Sequence, residues 1–102
     1  MKETPVIKHL VAFRFNEDLD PETVESVLAE LATFPTLYPS MKRWALGRNI
    51  STRDDSMSHA FVVEFNSEDE LLAYLHSDHH ETFVREKWRG IVKRQAIVSF
   101  EV

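Results

Sequence analysis

The segment VIKHLVAFRF, residues 6–15, alternates like a β-strand and is apolar on both faces, which constrains the fold more than any other feature. The first face carries Ile7, His9, Val11, Phe13 and Phe15. Leu10 and Ala12 lie on the second face, between charged residues. A sheet with helices on one side only would leave this second face in contact with water. The pattern therefore predicts a helix-covered sheet whose other face packs against a further apolar layer.

Helix signals and further strands follow this segment along the chain. Asp20-Pro21-Glu22 predicts a helix start, because Asp caps free amides, Pro suits the first turn and Glu favours the positive helix end. The predicted elements are a strand over 6–15, a helix to about Phe34, a loop over 35–40, strands over 41–49 and 59–65, a helix after Ser67, a helix from about Asp78 to Val92, and a strand over 95–102. This order predicts the ferredoxin-like α+β fold, a four-stranded antiparallel sheet with helices on one face.

The second faces of these strands also predict an assembly. Apolar residues of several strands are assigned to the face away from the helices: Leu10, Ala12, Trp44, Leu46, Ala60, Val62 and Ile97. An exposed apolar patch of that size usually marks an interface. A chain of 102 residues has room for one compact domain only. We therefore expect a single domain, 1–102, that forms a homodimer through its open sheet faces.

Charge and composition exclude several classes of function. Twelve basic and seventeen acidic residues, with no basic cluster, give a net charge of −5, so nucleic acids and membranes are not expected partners. The absence of cysteine removes disulfides, thiolate nucleophiles and sulfur ligands for metals. No nucleotide-binding loop is present, and no cofactor is expected. The N-terminus lacks an apolar signal sequence, which predicts a cytoplasmic location.

Three of the five histidines lie in YLHSDHHETF, residues 74–83. In the helix predicted from Asp78, the helical phase places His80 on the core-facing stripe and His79 on the outer face. His76 lies at the end of the preceding helix, where a cation near the last carbonyls is favourable. A helix break separates His76 from His80, so their four-residue spacing does not predict a metal site.

Two interpretations of His80 are compatible with this placement. It is either a packed core histidine, or an acid/base group that works with Tyr74, whose hydroxyl we expect at the mouth of a pocket. An imidazole that titrates near neutrality takes a proton, and a phenol donates a hydrogen bond to a developing enolate. His9 and His59 share the face that the helices should cover, where a structural or a pocket role is open. A choice between core and pocket lining also applies to four aromatic residues: Phe13, Trp44, Phe61 and Trp88.

Four stretches together resemble the stress-responsive dimeric α+β barrel (Dabb) family. They are VIKHLVAFRF at 6–15, PSMKRWALGRNIS at 39–51, SHAFVVEF at 58–65 and YLHSDHHETF at 74–83, in the order and spacing of that family. Ser40 and Asp78 depart from it, where glycine and proline are common. The resemblance implies a dimer whose two sheets form a barrel, with a pocket between sheet and helices in each subunit.

The resemblance also implies candidate site residues. One plant member, an olivetolic acid cyclase, closes a polyketide ring with a tyrosine and a histidine that correspond to Tyr74 and His80. The histidine of its first strand and the one that opens its third strand correspond to His9 and His59. A second pocket tyrosine corresponds to Leu31, so the resemblance implies a similar type of pocket and not the same substrate.

Two classes of function follow from the residues and the resemblance. The first is a non-catalytic homodimer that binds a small apolar or aromatic molecule in the pocket, or no ligand. The second is a lyase or cyclase that acts on a small, polyketide-like carbonyl compound with His80 and Tyr74 as the acid/base pair. We favour the first, because many members of the family have no assigned reaction.

Overall fold

The computed structural model describes residues 6–102, and its elements follow the ferredoxin-like order. They are β1 (Ile7–Phe15), α1 (Pro21–Ala32), α2 (Phe34–Leu37), β2 (Lys42–Arg48), β3 (His59–Phe65), α3 (Glu68–Leu75), α4 (Asp78–Phe83), a π-helical turn (Val84–Trp88), α5 (Arg89–Ile91) and β4 (Val92–Glu101). The strands form one antiparallel sheet in the order β2-β3-β1-β4. The predicted fold class is confirmed.

Polar side chains start the main helices. The carboxylate of Asp20 accepts a hydrogen bond from the backbone N–H of Thr23 over 2.7 Å, which satisfies a free amide of α1. The hydroxyl of Ser67 accepts from the backbone N–H of Glu70 over 3.1 Å at the start of α3. Ser77 caps α4 in the same way. The cap at Ser77, whose backbone is extended, explains why α3 and α4 are separate helices although only two residues lie between them.

The core lies between the helices and one face of the sheet, which we call the covered face. Residues of β1 and β3 alternate between this face and the other, so that Phe13, Val63 and Phe65 are fully buried. α1 contributes Val27 and Leu31 to the same core. Because full burial of an apolar side chain stabilises a fold by about 1.5–3 kcal/mol, this layer supplies much of the folding free energy.

Two predicted boundaries are wrong. The segment predicted as a loop from Pro35 begins with the short helix α2, because proline is well tolerated in the first turn of a helix, where its missing N–H is not needed. The last helical segment ends at Ile91, and β4 begins at Val92 instead of residue 95. The earlier start makes β4 the longest strand of the sheet.

The strand register corrects three residues that we assigned to the face away from the helices. Residues directly opposite each other in an antiparallel pair lie on the same face. Leu46 is opposite Phe61, and Ile97 is opposite Val11, so both lie on the covered face. Trp44 stacks on the ring of Phe61 at 4.7 Å and lies there too.

The remaining alternate residues form the second face, which we call the open face. Its apolar members are Leu10, Ala12, Ala45, Ala60, Val62, Ala96, Val98 and Phe100. A register shift between Lys42 and Ala45, with Arg43 at a φ of 54°, sets which residues of β2 belong to it. Within residues 6–102, no helix combines the length and the apolar character that crossing a membrane requires.

Candidate functional site

A cavity of about 250 Å³ lies between the covered face of the sheet and the helices. β1, β3 and β4 form one wall, and α1, α2, α3, α4 and the π-helical turn form the other. Most of the lining is apolar, including Leu31, Phe34, Phe83 and Val84. The lining contains no Asp, Glu, Lys or Arg among the residues that the structure describes. The cavity is therefore suited to a molecule without a net charge.

His80 reaches the cavity from the first turn of α4, which Ser77 caps. Its Nδ1 is 3.0 Å from the backbone carbonyl oxygen of Leu75. A carbonyl oxygen only accepts, so Nδ1 carries the proton and Nε2 is left as a hydrogen-bond acceptor. Burial lowers the pKa of His80, although the bond to Leu75 opposes the shift. The imidazole is therefore neutral at pH 7, with its basic nitrogen available.

Tyr74 lies beside His80, with 4.6 Å between the ring centroids. We expected its hydroxyl at the pocket mouth, but the residue is only 3% exposed, because its ring packs on Phe65 and other aromatic side chains of the core. The hydroxyl has no hydrogen-bond partner among the described residues. Burial raises the pKa of Tyr74, so the group stays a phenol that donates a hydrogen bond.

His9 forms the floor of the cavity on β1 and is 2% exposed. Its Nδ1 is 2.8 Å from the hydroxyl of Ser99, on the neighbouring strand β4. Burial lowers the pKa of His9 to about 4, and the nearby His80 contributes to the shift. His9, His80 and Tyr74 are therefore all uncharged at neutral pH.

A chain of hydrogen bonds runs from the surface to the segment that carries these side chains. The hydroxyl of Ser77 donates to the carbonyl oxygen of Tyr74 over 2.8 Å, so it accepts from the hydroxyl of Tyr38 over 2.9 Å. The Tyr38 oxygen in turn accepts from Nδ1 of His79 over 2.6 Å. One donor proton per hydroxyl sets all these directions. The chain fixes the residue after α2 against the start of α4, next to the cavity.

The structure brings most of the predicted site residues together. His9, Leu31, Phe61 and Trp88 line the cavity, with Tyr74 and His80. Three predicted pocket residues do not line it: Phe13, His59 and Trp44, which stacks on Phe61. Phe13 packs behind Trp88, with ring centroids 4.8 Å apart, and His59 stacks on the far side of Phe13 at 5.7 Å. Both lie on the covered face as expected, but they are too near the end of the strands to reach the cavity.

The other two histidines of the cluster lie outside the cavity. His79 is exposed and bonded to Tyr38, and His76 is the C-cap of α3, 3.9 Å from a carboxylate oxygen of Glu81. Within residues 6–102, no group of three or more His, Asp or Glu side chains is arranged to hold a metal ion.

Sequence reasoning missed several residues near the cavity, among them Phe34, Tyr38, Gln95 and Ser99. Phe34 and Tyr38 lie in or next to α2, where the sequence predicts the end of a helix and a loop. Ser99 and Gln95 lie on β4, whose covered side was assigned in the wrong phase. Their pairing with Phe13 and His9 of β1 places both residues on the covered face.

Comparison with known proteins now identifies the family. Residues 7–102 match the Stress responsive A/B Barrel Domain, Dabb. The chain belongs to the Dabb family. Among curated proteins, none matches the chain significantly.

Several solved structures share the fold at low sequence identity. A Dabb family protein with a ferredoxin-like fold from Mesorhizobium loti is 20% identical, with a TM-score of 0.84, over 94% of this chain and 95% of that one. A hydroxynitrile lyase from Passiflora edulis is 19% identical, with a TM-score of 0.89, over 98% and 95%. A dimeric ferredoxin-like protein of unknown function from Thermobifida fusca is 24% identical, with a TM-score of 0.81, over 98% and 93%.

Proposed function

We propose that this Dabb protein binds a small, neutral, apolar or aromatic molecule in the cavity between the sheet and the helices. The observation that carries this proposal is the combination of apolar walls with polar groups that are all uncharged at neutral pH. A volume of about 250 Å³ suits a compound of one ring with short substituents. An anion would lose its hydration there without meeting a cation in return, which costs several kcal/mol.

The binding protein is, in this proposal, a homodimer in which the open faces of two sheets pack together. Val98 and Phe100 are about half exposed on that face, although they are large and apolar. The Thermobifida fusca protein of the same fold is described as dimeric, which supports the same assembly here. Packing against a second copy would remove the open face from water and stabilise both subunits.

A matched pair of probes tests the binding function. Acetophenone and benzoate have the same ring and similar size, but only benzoate is charged at pH 7. We expect acetophenone to bind and to raise the melting temperature at millimolar concentration, whereas benzoate does neither. Ile97→Phe, which fills the cavity from its 56% exposed position on β4, should remove the effect of acetophenone without unfolding the protein. Equal binding of both probes would contradict the proposal.

A second candidate function is acid/base catalysis on a small carbonyl compound, as in a lyase or cyclase. The specific observation in its favour is the tautomer of His80 set by its bond to Leu75, which leaves Nε2 as a free base. The imidazole lies beside Tyr74, with 4.6 Å between the two ring centroids. Nε2 would take a proton from the carbon next to the carbonyl group, and the Tyr74 hydroxyl would stabilise the enolate oxygen. The Passiflora edulis protein of this fold is a hydroxynitrile lyase, so the fold supports catalysis in at least that protein.

Hydrogen exchange separates the two candidates without knowledge of the natural substrate. In D₂O, a general base at His80 would exchange the methyl protons of bound acetophenone for deuterium faster than buffer does. His80→Gln and Tyr74→Phe should each abolish the enhancement while acetophenone still binds. If the unmodified protein binds acetophenone without enhancing the exchange, acid/base catalysis is excluded for this probe and only the binding function stands.

A further inference from the structure

The wall of the cavity formed by β4 carries a polar group that neither candidate function uses. Gln95 lines the cavity near the start of β4, and Nε1 of Trp88 donates a hydrogen bond to its Oε1 over 2.8 Å. An indole nitrogen only donates, so its partner has to be the carboxamide oxygen. The carboxamide nitrogen of Gln95, with two N–H donors, has no hydrogen-bond partner among residues 6–102.

The orientation of this carboxamide is set by a buried side chain. Trp88 packs edge-on against Phe13 with ring centroids 4.8 Å apart, and it lies 5.9 Å from the ring of Phe83. These contacts prevent the indole from turning, because the core around it is closely packed. Its N–H therefore holds the oxygen of Gln95 and leaves the nitrogen as the group that a ligand can reach. A donor that is oriented before binding loses little entropy when a ligand arrives.

We propose that Gln95 recognises a hydrogen-bond acceptor on the ligand, so that the cavity selects neutral molecules with a carbonyl oxygen over hydrocarbons of the same shape. The proposal rests on the proposed binding function and narrows its ligand class. Gln95 lies on the exposed side of the cavity, so water can reach its nitrogen when no ligand is bound. A hydrocarbon that covers this nitrogen would displace the water without offering an acceptor in return, which costs binding free energy. A carbonyl oxygen replaces that water.

The two walls of the cavity then recognise different parts of one ligand. His80 presents a hydrogen-bond acceptor from the helix side, and Gln95 presents donors from β4. Apolar side chains between them, such as Phe34 and Phe61, contact the ring. Gln95 is in this account a specificity-determining residue, independent of whether His80 carries out acid/base chemistry.

The test compares acetophenone with α-methylstyrene, in which a methylene group replaces the carbonyl oxygen. The quantity to measure is the affinity for acetophenone divided by the affinity for α-methylstyrene. Gln95→Leu should lower this ratio roughly fivefold, which is the effect of one net hydrogen bond. The affinity for α-methylstyrene itself should not fall. Trp88→Phe keeps the aromatic packing but removes the indole N–H, so it should lower the ratio by a smaller factor.

A spectroscopic signal localises the effect. Gln95 is the only glutamine in the sequence, so labelling with ¹⁵N-glutamine marks the side-chain NH₂ group of this residue. Acetophenone should shift its resonances, and α-methylstyrene should shift them much less.

The outcomes separate this inference from the function on which it rests. If both probes bind but Gln95→Leu leaves their affinity ratio unchanged, the role of Gln95 is wrong and the binding function stands. If Gln95→Leu weakens the binding of both probes equally, the role of Gln95 is also wrong, because the substitution has then only changed the shape of the cavity. If neither probe binds the unmodified protein, the binding function and this inference both fail.

Discussion

The covered and open faces of the sheet are built from alternate residues of the same strands, yet they differ in side-chain size and exposure. On the covered face, aromatic residues such as Phe13, Phe61 and Phe65 are buried under the helices. The open face is built from smaller residues: Leu10 is opposite Val62 and Val98, and Ala12 is opposite Ala60 and Ala96. Large side chains fill the space beneath a helix layer, whereas small ones allow a second sheet to approach closely.

The two faces also differ in the polar groups that they carry. His9 lies on the covered face with a hydrogen bond to Ser99, and Lys8 on the open face is 3.6 Å from the carboxylate of Glu64. The covered face holds neutral groups around a cavity, and the edge of the open face holds charged ones. The proposed small-molecule site and the proposed dimer surface therefore lie on opposite faces of one sheet.

Replacing a phenylalanine by alanine should lower the free energy of unfolding by very different amounts on the two faces. This is the largest difference that we expect. Phe13→Ala opens a cavity in the closed core and should lower the free energy of unfolding by about 3–5 kcal/mol. Phe100 is 45% exposed on the open face, so Phe100→Ala should cost roughly 1–2 kcal/mol in the monomer. Urea unfolding at two protein concentrations measures both. The loss for Phe100→Ala should grow with concentration because the proposed dimer would bury this residue, and equal losses for the two variants would contradict the comparison.

A charge on the open face should separate the subunits. Val62→Asp places a carboxylate at the centre of the proposed interface, where it would have to be buried without a partner. Light scattering should give the mass of a single chain, 11.9 kDa, for this variant and twice that for the unmodified protein. Thr82→Asp adds the same charge on the exposed outer face of α4 and should remain dimeric. A single-chain mass for the unmodified protein would exclude the homodimer.

The buried imidazole of the covered face predicts a pH dependence of stability. The pKa of His9 is about 4 in the folded protein and 6.5 ordinarily, so between these values the unfolded chain binds a proton that the folded chain does not. Stability should therefore fall as the pH drops from 6.5 to 4, by about 3 kcal/mol from this residue. His9→Asn, which retains a partner for Ser99, should flatten the dependence. If stability depends on pH equally steeply in His9→Asn and in the unmodified protein, the pKa of His9 is not the source of this dependence.

Two tyrosine hydroxyls should differ in their effect on stability, although their rings are in contact. The Tyr38 hydroxyl has two hydrogen bonds, and Tyr38→Phe should cost about 1 kcal/mol of unfolding free energy. The Tyr74 hydroxyl has no partner among the described residues, so Tyr74→Phe should leave stability nearly unchanged. Thermal melting of both variants measures this difference. A clear loss for Tyr74→Phe would show that its hydroxyl is structural and not available to a ligand.

Much of the fold could be predicted from local sequence signals. The alternation of residues 7–15 identifies the two faces of β1, and Asp20, Ser67 and Ser77 mark helix starts because capping depends on near neighbours alone. The helical phase also separates His80, which lines the cavity, from the exposed His79.

The residues that were missed depend on contacts between distant parts of the chain. The face of Ile97 follows from its pairing with Val11, which alternation within β4 does not reveal. Tyr38 meets Ser77 across 39 positions of sequence, and no local pattern indicates that bond. Gln95 and Trp88 are only seven residues apart, but they meet because only the short helix α5 separates the π-helical turn from β4.

Ligand titration followed by NMR of the histidine side chains tests the central claim most directly. With acetophenone as the probe, the Nε2 resonance of His80 should shift in proportion to occupancy, because that nitrogen is the free acceptor on the cavity wall. The resonances of His79, one residue earlier but exposed and bonded to Tyr38, should not move. A shift at His79 without one at His80, or saturable binding that leaves His80 unchanged, would contradict the assignment of this cavity as the binding site.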